Sequence, residues 1–192
     1  NIGVVHFDAH FDASKYMFGH LISHAQPVYR LINEGHVAGK NFIQVGLRGY
    51  YPSKESFEWM RKENFKYYTM TRIDREGWDK IMPEILKAAR EDTKHLFISI
   101  DIDVLDPAYA AGTGTPEPAG FTTRELFPIV RALCTENNIV GFELVELNPQ
   151  ADPGYTTMLN ANRIVLECLT GLDMQKKGIK DGTYLSPLTV YH

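Results

Sequence analysis

Short apolar runs alternate with longer amphipathic stretches along most of this chain. The apolar runs have the length and the branched aliphatic content of buried strands, and they lie at 2–7, 41–46, 65–69, 96–100 and 139–147. The amphipathic stretches repeat apolar residues at helical spacing, and they lie at 26–34, 53–63, 74–91, 122–134 and 156–172. Strands that alternate with helices predict an α/β fold, with a mostly parallel sheet covered by helices on both faces.

Several predicted helices carry recognisable capping residues at their first turn. Ser53 is placed to cap the second helix, and Thr122 with Glu125 three residues later forms the capping-box pattern. The stretch from 74 to 91 predicts one continuous helix, and Pro83 marks the place where we expect it to bend.

Composition narrows the class of protein. The chain has 192 residues, 44% hydrophobic and 23% charged, which is ordinary for a globular domain. A net charge of −4 without a basic run argues against nucleic acid as a partner. No apolar run approaches the roughly 18 residues of a membrane span, so we expect a cytoplasmic location or an organellar matrix. Cys134 and Cys168 fall in apolar helical patterns, which favours buried free thiols over a disulfide.

The first residues already belong to a predicted core strand. The run at 2–7 has no preceding cap or loop, although a buried parallel strand rarely opens a domain. We therefore expect residues 1–192 to form a single domain that lacks its amino-terminal part.

Carboxylates follow the apolar run at 96–100. Asp101 and Asp103 share one parity, so strand alternation predicts that both side chains point to the same side. Two like charges at a strand end are costly unless a cation lies between them. A loop rich in glycine and proline follows, and the carboxyl ends of strands are where open α/β sheets bind ligands.

A second polar strand end follows the run at 2–7. Asp8, His10 and Asp12 also share one parity, and together with the first strand end they supply four carboxylates and an imidazole. Oxygen ligands with imidazole suit Mn²⁺ or another borderline divalent ion, and four negative charges match two such ions. Two divalent ions that share a water lower its pKa toward neutrality. A polar strand end with capping carboxylates is the alternative for either motif alone.

The residues around these acids resemble two signatures of the ureohydrolase, or arginase/agmatinase, family. FDAHFD at 7–12 resembles one signature, and SIDIDVLDP at 99–107 with GTGTPEP at 112–118 resembles the other. The resemblance extends to about Leu172. It implies a three-layer α/β/α fold and two divalent metal ions, with Mn²⁺ favoured and Ni²⁺ or Co²⁺ as alternatives. It also implies hydrolysis of a guanidinium group to urea and an amine.

The same resemblance implies a role for each acidic residue. Asp8 and Asp101 would bridge the two ions, Asp12 would complete the shell of one, and His10 and Asp103 that of the other. The family uses a further His from an upstream Gly-rich motif that this sequence does not contain. That difference agrees with the expected loss of an amino-terminal part.

Two residues outside the metal motifs also match the family. SHAQP at 23–27 resembles the segment that carries a proton-shuttling His, which predicts a catalytic role for His24; a surface loop His is the alternative. ELVELNP at 143–149 resembles the strand end that carries the guanidinium-binding Glu, which corresponds to Glu146. A planar guanidinium accepts a carboxylate partner bidentately. His6 is interpreted as a core His or as a hydrogen-bond donor to a metal ligand. Asp106 and Asp152 are interpreted as residues that support the ligands or stabilise turns, rather than as ligands.

The substrate class follows from the resemblance only in part. Ala13 and Ser14 follow Asp12 where arginases place an Asn, so the chain looks closer to the agmatinase-type branch and to an agmatine-like substrate. Guanidinobutyrate, guanidinopropionate and free guanidine stay open, as does a non-catalytic regulatory member of the family. A two-metal phosphoesterase is disfavoured, because no Arg/Lys clamp for a phosphate is visible.

Family resemblance also implies a homo-oligomer, a trimer or hexamer. We expect the tail at 176–192, which lacks a core pattern of its own, to pack on an adjacent subunit.

Overall fold

The computed structural model describes residues 1–50, 52–91 and 93–179. Its strands are β1 (Ile2–Phe7), β2 (Phe42–Val45), β3 (Lys66–Tyr68), β4 (His95–Asp101) and β5 (Ile139–Val145). Its helices are α1 (Pro27–Asn33), α2 (Lys54–Lys62), α3 (Met70–Glu76), α4 (Trp78–Arg90), α5 (Thr123–Glu136) and α6 (Thr156–Lys176). Each predicted strand is present, with ends shifted by a few residues.

The strands form one sheet in the order β3-β2-β1-β4-β5, and each neighbouring pair is parallel. The register places Val5 of β1 between Ile43 of β2 and Ile98 of β4, so the central strand is covered along both edges. Parallel strands all end at the same edge of a sheet. The segments that follow β1, β2, β4 and β5 therefore meet there.

Helices cover both faces of this sheet, because successive strand residues point in opposite directions. Val5 and Phe7 of β1 belong to the larger core, which α4, α5 and α6 complete. Val4 of β1 and Phe42 of β2 belong to a smaller core with residues of α1 and α2. The predicted α/β class and three-layer α/β/α arrangement are confirmed. In the described ranges, the helices are too short or too polar to cross a membrane.

The predicted continuous helix at 74–91 is wrong. Two helices occupy this region, and Gly77 separates them with φ +88°, in the left-handed region that favours glycine. The first helix begins earlier than predicted, because the Thr69 side chain accepts a hydrogen bond from Arg72 N at 3.2 Å. The apolar spacing that suggested one helix belongs to α4 alone. The caps predicted at Ser53 and Thr122 are present.

Helices α5 and α6 pack closely around Gly171. The predicted free thiols Cys134 and Cys168 are both buried beside it, which confirms that interpretation. A Cβ added at Gly171 would lie 2.5 Å from the Arg131 carbonyl oxygen and 2.6 Å from the Cβ of Cys134. Both distances are too short, so the helices would have to separate.

Gly171→Ala is therefore expected to lower the free energy of unfolding. Overpacking costs about 1–3 kcal/mol, and the better helix propensity of Ala offsets about 1 kcal/mol of that loss. Urea denaturation would measure the change. Asn162→Ala, at an exposed position of the same helix, is the control and should stay within about 0.5 kcal/mol of the wild type. Equal stability of the two variants would contradict the close packing.

Candidate active site

The acidic side chains lie just beyond the ends of β1 and β4. Strand β1 ends at Phe7, and Asp8 Oδ1 accepts a hydrogen bond from His10 N at 2.6 Å, so the chain turns away from the sheet. Strand β4 ends at Asp101, and a 3₁₀ turn at Ile102–Val104 carries Asp103. Strand alternation is therefore the wrong reason for the proximity of Asp101 and Asp103. Their link is a hydrogen bond from Asp103 N to Asp101 Oδ1 at 3.0 Å.

Two groups of side chains could each hold a metal ion. His6, Asp8 and Asp12 form one group, and Asp8, His10 and Asp103 form the other; within each group the ligand atoms lie within 4.8 Å of one another. Asp8 belongs to both groups, which is the position required of a bridging carboxylate. Asp101 belongs to neither group, although it lines the cavity above them that is described below.

Short contacts join the two groups through their imidazoles. His6 Nε2 lies 3.1 Å from Asp8 Oδ2, and His10 Nδ1 lies 3.1 Å from Asp103 Oδ2. His10 Nδ1 is also 3.4 Å from Asp8 Oδ1. Asp8 and Asp103 are almost completely buried, so these contacts lie in a region with little solvent screening.

The pKa values in the cluster are shifted in the directions expected for carboxylates that are buried close together. Burial, followed by the charges of Asp8 and Asp103, raises the pKa of Asp101 to about 10. Burial and the charge of Asp8 likewise raise the pKa of Asp12 to about 7. The Asp103 carboxylate and then Asp8 raise the pKa of His10 to about 10. Burial opposes ionisation of Asp8, but the imidazoles of His10 and His6 hold its pKa well below the ordinary value.

The donor set fits divalent cations. Asp8 Oδ2 and Asp103 Oδ2 are buried, and the imidazole nitrogens that lie 3.1 Å from them are not well aligned for a hydrogen bond. A buried carboxylate oxygen without a hydrogen-bond partner is costly, and a cation would satisfy it. Carboxylate oxygens with imidazole nitrogens are ligands for Mn²⁺ and similar ions. Two groups that share one carboxylate match a pair of ions.

A cavity of about 240 Å³ opens above this cluster. It brings together most of the predicted site residues, namely His10, Asp12, His24, Asp101 and Glu146. The other two, Asp8 and Asp103, are buried and contact His10 from below. The rest of the wall is largely apolar and comprises Phe11, Ser14, Met17, Phe18, Ala25 and Thr115.

Glu146 enters the cavity at an unusual backbone turn. It directly follows β5 and has φ +62°, which non-glycine residues seldom adopt. The next residues are held by Gly112, whose carbonyl oxygen accepts a hydrogen bond from Asn148 N at 2.8 Å. A Cβ at Gly114 would come within 3.4 Å of Glu146 Oε2, so this glycine leaves room for the carboxylate.

His24 lies on the loop between β1 and α1. A hydrogen bond from Ser14 N to the Ala25 carbonyl oxygen, at 2.9 Å, joins the two ends of this loop. The His24 side chain is exposed, and it lines the cavity rather than facing away from it. Phe18, on the same loop, is 92% exposed and lies at the rim.

His6 contacts Asp8 and belongs to one of the two groups that could hold a metal ion, whereas the sequence indicated a core His or a donor to a ligand. Its Nδ1 atom lies 3.3 Å from Gln44 Nε2, which also donates to the Phe11 carbonyl oxygen at 2.7 Å. This support leaves Nε2 directed at Asp8. His6 has the same parity as Asp8, and extending the parity argument by two residues could have found it.

Asp106 and Asp152 are turn residues, as predicted. Asp106 accepts hydrogen bonds from the backbone N–H groups of Ala108, Ala119 and Gly120. Asp152 accepts from those of Thr157 and Met158, at the start of α6. Their carboxylates are therefore engaged outside the cluster of carboxylates and imidazoles.

Comparison with known proteins gives relatives along most of the chain. A guanidinobutyrase of Pseudomonas aeruginosa is 37% identical over 84% of this chain and 50% of its own length. The mitochondrial agmatinase of Gallus gallus is 39% identical over 84% of this chain and 47% of its own length. The chain thus spans about half the length of these curated relatives.

Solved structures agree with the sequence matches. A formimidoylglutamase from Bacillus subtilis superposes with a TM-score of 0.84 at 32% identity, over 90% of this chain and 54% of that one. An arginase from Bacillus caldovelox gives 0.78 at 28% identity, over 88% and 60% of the two chains. The model of the Arginase family matches residues 1–171. Because this family model matches most of the chain, and the fold and the acidic strand ends agree with it, the chain belongs to the arginase family.

Proposed function

We propose that this chain contributes the metal centre and guanidinium site of an amidinohydrolase, which converts a small, agmatine-like guanidino compound to urea and an amine. One observation carries the proposal: a single cavity brings Glu146, His24 and Asp101 together above a buried cluster of carboxylates and imidazoles. Matches to a guanidinobutyrase and to an agmatinase support the guanidino class.

Electrostatics favour a cationic substrate group. Asp12, Asp101 and Glu146 line the cavity, and the wall residues described above include neither Lys nor Arg. A guanidinium is planar and permanently charged, and it can donate two parallel hydrogen bonds to a carboxylate. We assign that carboxylate to Glu146, because it lies in the wall rather than in the cluster. The apolar side chains of Phe11 and Met17 suit the alkyl part of the substrate.

The metal ligands follow from the two groups. Asp8 would be shared, Asp12 would serve one ion, and His10 with Asp103 the other. Burial and the nearby charges of Asp8 and Asp103 raise the pKa of Asp101, and Asp101 lines the cavity above the cluster. We propose Asp101 as the second shared carboxylate. Bound divalent ions, with Mn²⁺ favoured over Ni²⁺ or Co²⁺, would supply Lewis acidity and a water of lowered pKa. His24, at the rim, would pass a proton to the leaving amine.

Urea release is the direct test. The full chain, loaded with Mn²⁺, would be offered agmatine, 4-guanidinobutyrate, 3-guanidinopropionate, arginine and free guanidine, and urea would be measured. Turnover of agmatine above the others is the expected result. A preference for guanidinobutyrate would keep the reaction and change the substrate. Metal binding without urea from any compound would favour a regulatory, non-catalytic protein.

His24→Ala is expected to lower kcat by about 10²-fold and to leave bound metal unchanged. An imidazole that moves a proton contributes an effect of this order, and His24 belongs to neither ligand group. Stopped-time urea assays across pH 7–9, with metal analysis of the same samples, would measure both quantities. His36→Ala, an exposed His on another loop, is the control. Equal rates for the two variants would reduce His24 to a surface residue.

The homo-oligomer, a trimer or hexamer, stays a prediction. The prediction that the tail at 176–192 packs on an adjacent subunit falls mostly on residues 180–192, which lie outside the described residues. Light scattering of the full-length protein and of a version that ends at Met174 would test both the assembly and the role of the tail.

A further inference from the structure

Arg48 is a buried cation close to the cluster of carboxylates and imidazoles. It follows β2 in a segment that runs beside the end of β1, where Arg48 N donates to the Ala9 carbonyl oxygen at 3.1 Å. Gly46 makes this approach possible: it has φ +111°, and a Cβ there would lie 2.6 Å from Val104 and 2.9 Å from the Asp8 carbonyl oxygen. The Arg48 side chain is only 9% exposed.

The guanidinium of Arg48 donates to backbone carbonyls on three segments. Nη2 donates to the Asp103 carbonyl oxygen at 2.7 Å and to that of Glu117 at 2.6 Å. Nε donates to the Pro118 carbonyl oxygen at 2.9 Å. Longer hydrogen bonds, of 3.3–3.4 Å, reach the carbonyl oxygens of Gly46, Val104 and Leu105.

These contacts tie the turn that carries Asp103 to the loop that forms one cavity wall. The Asp103 carboxylate is held on its other side, where Oδ1 accepts from Ala9 N at 3.1 Å and Oδ2 faces His10. The Glu117 and Pro118 carbonyls lie just after Thr115, a wall residue. One side chain thus holds the backbone of a proposed ligand and the backbone of the loop that follows the wall residue Thr115.

Only an arginine matches this arrangement. Its guanidinium offers five N–H donors in a rigid plane, whereas lysine offers three on a flexible stem. Burial lowers the pKa of Arg48, and the charges of Asp103, Glu117 and Asp106 oppose that shift. Gly120 provides the space, since a Cβ there would lie 2.6 Å from Arg48 Nη2. Unpaired carbonyls would be left in the interior if the guanidinium were removed.

We propose that Arg48 is a positioning residue of the metal centre, which clamps the Asp103 turn to the 117–118 loop and so holds the Asp103 carboxylate in place for a divalent ion. The inference rests on the proposed metal site, and it concerns metal affinity rather than the chemical step. The Arg48 side chain does not line the cavity, and it contacts the backbone of Asp103 rather than its carboxylate.

The test compares Arg48 with Arg131, a half-buried arginine, in the full chain. Arg131 on α5 is 14% exposed at its side chain and pairs with Glu167 on α6, away from the metal cluster. Arg163 also pairs with Glu167, at 2.6 Å, so Arg131→Met leaves that carboxylate one partner. Arg48→Met, Arg48→Lys and Arg131→Met would be freed of metal and titrated with Mn²⁺ by calorimetry, with the Tm of each metal-free protein as a measure of stability.

Arg48→Met is expected to weaken Mn²⁺ binding by about 10–100-fold, the usual effect of losing an outer support of a ligand. Arg48→Lys should lie between Arg48→Met and the wild type. Arg131→Met should lose Tm but bind Mn²⁺ within about twofold of the wild type. This split separates positioning from general destabilisation.

Wild-type affinity in both Arg48 variants would overturn the role of Arg48, and so would an equal loss in Arg131→Met. If Arg48→Met does not fold, Arg48→Lys carries the same comparison with the same two outcomes. An absence of Mn²⁺ binding by the wild-type chain would overturn the proposed metal site and this role with it. That result is distinguishable from a failure of the Arg48 role alone, because it is measured on the wild-type chain without any variant.

Discussion

Replacing Asp8 with asparagine is expected to abolish urea release and to weaken Mn²⁺ binding by more than about 100-fold, beyond the range for outer residues of a metal site. Asp8 is the one residue common to both ligand groups, it is 1% exposed, and the contact of its Oδ2 with His6 Nε2, at 3.1 Å, is not well aligned for a hydrogen bond. Asparagine keeps the shape but removes the charge, and it would direct an N–H group at a cation. Neither ion would then be held.

A thermal shift assay would measure this loss independently of catalysis. A ligand at 100 times its Kd stabilises a folded protein by about 2.7 kcal/mol, so saturating Mn²⁺ should raise the Tm of the wild type and leave that of Asp8→Asn unchanged. Asp79→Asn, at an exposed position of α4, is the matched control. A normal metal-dependent shift in Asp8→Asn would refute the shared-ligand assignment. Asp101→Asn, measured in parallel, tests the second proposed bridge by the same criterion.

Glu146→Gln is expected to lower kcat/KM by at least about 100-fold while bound metal stays at the wild-type level. Two charge-assisted hydrogen bonds to a guanidinium contribute about 1.5–3 kcal/mol each, and the amide keeps only one acceptor and no charge. Glu146 lines the cavity but belongs to neither ligand group, so metal affinity should not follow activity.

The control for this variant comes from β5, the strand that Glu146 directly follows. Glu143→Gln changes a carboxylate that accepts a hydrogen bond from Ser99 Oγ at 2.9 Å and lies outside the active-site cavity. It should keep nearly full activity. Initial-rate kinetics with metal analysis would compare the two proteins. Should Glu146→Gln lose metal together with activity, the residue would be a ligand rather than the guanidinium partner.

The parts of the fold that were predictable depend on short-range signals. Apolar runs mark buried strands, and acids directly after two of those runs mark the edge of the sheet. Asp8 and Asp103 come together for that reason: parallel strands deliver their following residues to one edge. Alternation failed beyond the strand ends, because it describes extended backbone, and Asp103 already lies in a 3₁₀ turn.

Other features depend on contacts between distant segments. Helices lie directly on both sides of Gly77, so the sequence around it resembles one continuous helix and does not indicate that the helix is interrupted there. The left-handed backbone at Glu146 belongs to a non-glycine residue, so no local signal marks it. Arg48 bonds to carbonyl oxygens, which every residue has, and side-chain patterns cannot reveal such partners.

The position of β1 between β2 and β4 has a consequence for the order of events during folding. The hydrogen bond from Ala9 N to Asp103 Oδ1 joins residues 94 apart in the chain, and β1 pairs with β4 across a similar separation. Non-local parallel pairing of this kind makes folding slow. We expect the contact between His10 and Asp103 to be incomplete in the folding transition state, so divalent ions would find only half a site there. They should leave the folding rate nearly unchanged and act by slowing unfolding, which makes metal a determinant of how long the native protein lasts rather than how fast it forms.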